Sequence, residues 1–186
     1  MTKIITSLIS FLVMIMMCTK APAQAASETT KKYPVPEFIN HPEYYGQDEN
    51  KLVELEKPQT NTKRKKDFAT GLLGLVKINT YMTIDNGHSP VRVKKRDTLL
   101  FIIRVNPGDD PSAIAELTGL KVEKKERKVL IADQKPFQSS EPAYKKIEFA
   151  VQKIQEGVYL LIMTHLASGE YCMATPVGVF AFGIDG

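Results

Sequence analysis

Ile147-Glu-Phe-Ala-Val151, Val158-Tyr-Leu-Leu-Ile-Met163, Leu166-Ala-Ser-Gly-Glu-Tyr171 and Val179-Phe-Ala-Phe-Gly-Ile184 fill most of the C-terminal part of the chain, from 147 to 186. In the first run apolar residues recur at every second position, and the others are short apolar blocks separated by turn residues. That is the pattern of successive antiparallel strands with one face in a core. Leu166-x-x-Gly169-x-Tyr171 is the most specific piece. A tyrosine at the start of a late sandwich strand folds back, its hydroxyl bonding backbone a few residues upstream. Gly169, two residues earlier, would let the chain turn there with positive φ. Leu166, Gly169 and Tyr171 thus form an expected structural corner. The stretch predicts an all-β chain, an antiparallel β-sandwich of immunoglobulin-like architecture.

Working outward, the other end reads as an export signal, residues 1–25. Lys3 gives a charged start, Ile4 to Met17 a short apolar run, and Ala23-Gln24-Ala25 a small-x-small cleavage site. The run is shorter than the roughly 20 residues of a membrane span, and it has no polar face for a buried amphipathic helix. Cys18 offers a lipid-attachment point, but Met17 stands where bacterial lipidation generally wants a small residue. The expected location is therefore exported: periplasmic, envelope-associated or extracellular. The chain has 25 basic and 21 acidic residues, a net +4. Loss of Lys3 and Lys20 leaves 23 against 21, a balance of +2. Of the 2 cysteines only Cys172 would remain, which excludes an intramolecular disulfide. A lone exported cysteine is either a reactive thiol or a small buried hydrophobe; between Tyr171 and Met173, burial is the better reading.

Residues 26–36 are polar and end in Pro34-Val-Pro36, a flexible tether. Residues 37–67 divide into an N-terminal hairpin, around the turn residues Gly46 to Asn50, and an exposed basic connector from Lys57 to Asp67. Such a hairpin is marginal alone in water, so Phe38, Ile39, Leu52 and Leu55 should dock on the sandwich, residues 68–186. From Leu72 to Ile84 one parity is apolar and the other largely polar, a long half-buried strand. Asn86-Gly87 marks a tight turn, and Val91-Arg-Val93 a short strand. Thr98 to Val105 is apolar on both parities, as in a central strand covered on both faces. Asp110-Pro111 has the form of a capped helix start, whereas 114–123 reads mostly as strand. Leu120-Lys-Val122 and Lys128-Val-Leu-Ile131 make a hairpin, and Asp133 to Pro142 a loop. The topology is expected to be largely antiparallel.

Pro36-Glu-Phe, Tyr44-Tyr45, Leu52-Val-Glu-Leu-Glu-Lys57, Ser89-Pro-Val-Arg92, Arg127, Gly169-Glu-Tyr171 and Phe182-Gly-Ile-Asp185 occur in that order. In this series the chain resembles an uncharacterised group of exported bacterial β-rich proteins. The resemblance implies an exported β-rich domain with an attached N-terminal hairpin, and no assigned activity.

Candidate chemistry is sparse. His41, His88 and His165 share no short metal-ligand spacing, and no His-x-Glu or Cys-x-x-Cys pair is present, so the reading has no metal, cofactor or catalytic residue. Cys172 with His165 would be a thiol–imidazole pair only if both faced one pocket. Asn106, Asp109 and Asp110 lack the spacing of a calcium loop and read as a polar turn. Two basic clusters stand out: Lys63-Arg64-Lys65-Lys66, and Lys121, Lys124, Lys125, Arg127 and Lys128 with Glu123 and Glu126 interleaved. Either is a solvated edge that resists aggregation or contacts an anionic surface; the first, with no acid until Asp67, is the candidate anionic-surface contact. Tyr44 and Tyr45 are either a contact platform or packed onto the sandwich, and the lack of Trp weakens a carbohydrate-binding reading. Nucleic acid is not an expected partner. The function expected is non-catalytic: an envelope-associated adaptor or assembly component binding an envelope protein or polymer. A hydrolase of envelope polymers and a small apolar-ligand carrier are the alternatives.

Overall fold

Alternation along the strands sorts side chains onto two stacked sheets. The structure, a computed structural model, describes residues 32–67, 77–134 and 143–186. The expected leader, most of the tether, the start of the Leu72 strand and most of the Asp133–Pro142 loop lie outside the described residues. Five strands make one sheet, in the order β10 (Ala150–Gln155), β11 (Val158–Thr164), β6 (Thr98–Arg104), β1 (Glu43–Gly46), β2 (Lys51–Glu54). The second sheet runs β3 (Thr60–Asp67), β4 (Lys77–Asp85), β8 (Glu126–Gln134), β7 (Glu116–Glu123), β12 (Gly169–Thr175), β13 (Gly178–Asp185), β5 (Arg92–Lys94). Short β9 (Lys146–Ile147) pairs with the start of β7, at Leu117 and Thr118, while β8 pairs with its end. The chain is thus an all-β sandwich.

The main core lies between the sheets. Leu99, Phe101 and Ile103 of β6 and Leu161 and Met163 of β11 meet Leu117, Tyr171, Met173, Phe180, Phe182 and Ile184 of the second sheet. The alternate residues build two further clusters. Ile102 joins Tyr45, Val158 and Leu160 on the far face of the five-stranded sheet. Cys172 and Ala181, facing away from Tyr171 and Phe182, pack with Ile84 of β4 and Val129 of β8. β6 is apolar on both parities because both of its faces are covered, as its sequence predicts.

The N-terminal hairpin forms, with Tyr44 opposite Val53. It is no appendage: β1 pairs antiparallel with β6, Tyr44 opposite Phe101, so the hairpin supplies the edge of the five-stranded sheet. Of the four apolar residues expected to dock, Leu55 is buried and Leu52 half-buried, but Phe38 and Ile39 are 51% and 39% exposed. The basic connector is a strand as well. β3 pairs with β4 from Thr60–Ile84 to Asp67–Lys77. An edge strand whose side chains are exposed from Thr60 to Lys66 has no apolar alternation to betray it. β5 runs parallel to β13, as does the isolated bridge Ile39–Arg104, whereas the other strand pairings among the described residues are antiparallel. The Asp110-Pro111 signal gives a single helical turn, α1 (Pro111–Ile114), whose cap Asp110 accepts from the Ser112 amide at 2.9 Å.

Candidate functional site

After β2 the chain leaves the first sheet, and Leu55 turns into the core. Glu56 then bridges to β13, its amide donating to Ala181 O (3.1 Å) and its carbonyl accepting from the Ala181 amide (2.7 Å). This crossing places the Glu56 carboxylate against Arg127 of β8. Arg127 Nη1 and Nη2 donate to Glu56 Oε2 and Oε1 at 2.7 and 2.8 Å, a bidentate pair. Arg127 Nε donates to Asn86 O at 3.0 Å and Nη2 to Asp85 O at 3.3 Å. The guanidinium has no exposed surface, and Asn86 sits at φ 68°, which aims its carbonyl inward. The Asn-Gly turn read from the sequence therefore serves as an arginine receptor.

Glu170 of β12, 5% exposed, continues the cluster. Its Oε2 accepts from the Ser89 amide at 2.9 Å and lies 3.8 Å from Arg127 Nη1. Its Oε1 accepts from Arg92 Nη1 and lies 3.4 Å from His88 Nδ1. Arg92 also grips Asp185 Oδ1, through Nε at 2.9 Å and Nη2 at 2.6 Å. This path crosses Gly183 so closely that a Cβ there would fall 1.7 Å from Arg92 Nη1 and 2.7 Å from Glu170 Oε1. Gly183 is required for the close approach, not for its φ.

Burial drives the Glu56 carboxyl upward, but hydrogen bonds from Arg127 and Ser89 and the Arg127 charge outweigh it and hold it below the ordinary glutamate value. The Asp185 contact foremost, then Glu170, raise the Arg92 guanidinium against its desolvation. Two arginines and three carboxylates are thus bound to one another and to backbone. Such a cluster clamps elements together: β2's continuation, β8, β12, β13 and the β5 approach. The members come from Leu52–Lys57, Ser89–Arg92, Arg127, Gly169–Tyr171 and Phe182–Asp185, the short motifs noted in the sequence.

Tyr45 is wholly buried, its ring 5.3 Å from that of Tyr33 and its hydroxyl donating to Asn50 Oδ1 at 2.7 Å. Tyr44 is half-buried, edge-on to Phe101 at 5.5 Å. Both rings are taken up by packing. At the corner, Tyr171 Oη donates to Ala167 O at 2.8 Å and its ring stacks on Phe182 at 5.7 Å, while Leu166 is buried. Gly169, however, is an ordinary strand residue; the left-handed residue at this turn is His165, φ 55°. His165 is exposed, whereas Cys172 is buried behind the sheet, where desolvation pushes its thiol up to about 12. Asp110 caps α1, and Asn106 Nδ2 donates to Asp109 Oδ2 at 3.2 Å.

The basic clusters divide. Arg127, grouped in the sequence with the surface lysines, is the buried centre of the clamp. Of the β3 residues, Lys63 faces Tyr81 in register and pairs with Glu126, and Lys65 shares its parity. Arg64 and Lys66 point from the other face of the strand, also exposed. Sequence reasoning missed the Glu56–Arg127–Glu170 assembly because it spans more than 100 residues of chain; the ordered motifs were its only signal. Compared with family models, curated proteins and solved structures, the chain matches none.

Proposed function

We propose that this chain is an exported, non-catalytic β-sandwich that works by binding, as an envelope-associated adaptor or assembly component. The observation that carries this reading is the division of its charges. The inward-facing ones, Glu56, Arg127 and Glu170, are engaged with one another, and Arg92 reaches Glu170 from the exposed side. The lysines of β3 and of the β7–β8 turn face solvent. The Cys172 thiol is buried, and that burial raises its pKa and disfavours the thiolate that a nucleophile needs. A protein organised this way offers a surface, held rigid by a polar clamp, and that suits an adaptor.

The test is incubation of the mature chain with isolated envelope polymer, followed by sedimentation and sizing of the polymer. Co-sedimentation with the polymer length unchanged is the expected result. Shortening of the polymer would turn the reading to its rival, a hydrolase. Failure to associate with any envelope polymer or protein would remove the adaptor.

A further inference from the structure

The two basic clusters lie about 60 residues apart in sequence, yet strand pairing brings them to one concavity of about 520 Å³. β3 contributes Lys63 and Lys65, the β7–β8 turn Lys124 and Lys125, and β8 Lys128. Thr83 lies opposite Lys128 and Lys63 opposite Tyr81, so the three strands set these groups in adjacent rows. Five lysines against Glu123 and Glu126 give the lining a net +3. Lys63 pairs with Glu126 and Lys128 with Glu123. Lys65, Lys124 and Lys125 have no ion pair among the described residues.

Tyr81 forms the floor. Lys128 Nζ stands 5.2 Å and Lys65 Nζ 5.8 Å from its ring centroid, within cation–π range. One ring therefore holds two ammonium groups, of which Lys128 is paired with Glu123 and Lys65 has no ion pair among the described residues. Lys124 adds a second sign: it occupies the turn at φ 58°, where glycine or asparagine would sit with less strain. A solvated edge explains lysines on β3, but not the convergence of Lys65 with Lys128 of β8 over one tyrosine, beside the turn lysines.

From this geometry we infer a binding site for an acidic polysaccharide, one bearing carboxylates at intervals among hydroxyls. The inference rests on the binding reading above and names the ligand class. Anionic groups bind between Lys65, Lys128 and the turn lysines. Glu123, Glu126, Thr83 and the tyrosine hydroxyl offer partners to sugar hydroxyls. Nucleic acid would need aromatic faces for its bases, and Tyr81 is the one aromatic residue of the lining, already engaged by lysines. A membrane would call for apolar groups at the rim, yet exposed Val122 lies toward Gly87, on the Arg127 side of its strand.

Calorimetric titration of the mature chain with polygalacturonate tests this, beside neutral dextran, single-stranded RNA, and vesicles of equal phosphatidylcholine and phosphatidylglycerol. Polygalacturonate should bind with affinity falling as salt rises, and dextran should not bind. Lys65→Gln with Lys125→Gln should weaken binding about 25-fold, some fivefold for each charge, with an unchanged melting midpoint. Tyr81→Ala should weaken it too, through release of the two lysines. The pair Lys145→Gln with Lys153→Gln, outside the concavity, should change nothing. Equal losses in both pairs, or stronger binding to vesicles or RNA than to polygalacturonate, would overturn the site. If polygalacturonate does not bind while an envelope partner still does, the inference fails and the adaptor reading stands.

Discussion

Arg127 shows how much a single side chain can decide. A guanidinium with no exposed surface is tolerable only because Glu56, Glu170 and two turn carbonyls meet it. Arg127→Met strips the Glu56 carboxylate of its bidentate partner and leaves Glu170 with Arg92 and the Ser89 amide alone. It should cost about 3–5 kcal/mol, read as a drop in denaturant midpoint at constant slope. Glu56 gives the clamp a pH dependence. Its folded pKa lies below its unfolded value, so its contribution is present above the unfolded pKa and is lost as pH falls through the folded one. Acid titration of stability should therefore show a falling limb below the ordinary glutamate range, and Glu56→Gln should flatten it. An equally steep limb in Glu56→Gln would assign the acid sensitivity elsewhere. Tyr171→Phe keeps the buried ring and deletes the bond to Ala167 O; about 1–3 kcal/mol should be lost. That corner was legible because its parts lie within six residues. The clamp was not, because nothing local ties Glu56 to Arg127.

At the scale of elements, what the sequence revealed follows from whether a strand has an apolar face. β6, buried on both sides, and the terminal strands β11 to β13 carry runs that mark them. β3 carries none, since its partner β4 lies on one edge only and its side chains are exposed; its charges make it look like a linker. The parallel pairing of β5 with β13 was hidden for another reason: three residues hold no register information until Arg92 reaches Asp185 and Glu170. Hydrogen exchange separates these elements. Amides of β1 facing β6 should be protected like those of the sheet interior, because the hairpin is a sheet edge strand anchored to β6. Amides of β3 should exchange sooner, as befits an exposed edge. Fast exchange at β1 would mean the hairpin is detachable after all.

The described residues form two stacked sheets, and the clamp sits at one of the places where the chain crosses between them. Phe101 and Phe182 meet between them with ring centroids 4.9 Å apart, while the chain passes from sheet to sheet through Leu55 and Glu56. Apolar packing supplies the cohesion; Phe182→Ala should cost about 3–5 kcal/mol, checked by thermal or chemical unfolding. The clamp fixes which strands lie at the crossing and keeps the basic face of β3, β4 and β8 in place. Exported material should begin near Ala26, which intact mass would confirm, whereas acyl chains on Cys18 would make it membrane-anchored. On the binding reading, the arginine–glutamate cluster holds the fold together and has no part in chemistry or ligand contact. A double-mutant cycle between Glu56→Gln and Arg127→Met, read by denaturant unfolding and by polymer binding of the folded variants, tests it most directly. We predict a coupling of about 1–3 kcal/mol in stability with binding unchanged once folded; additivity within about 0.3 kcal/mol, joined to lost binding, would contradict it.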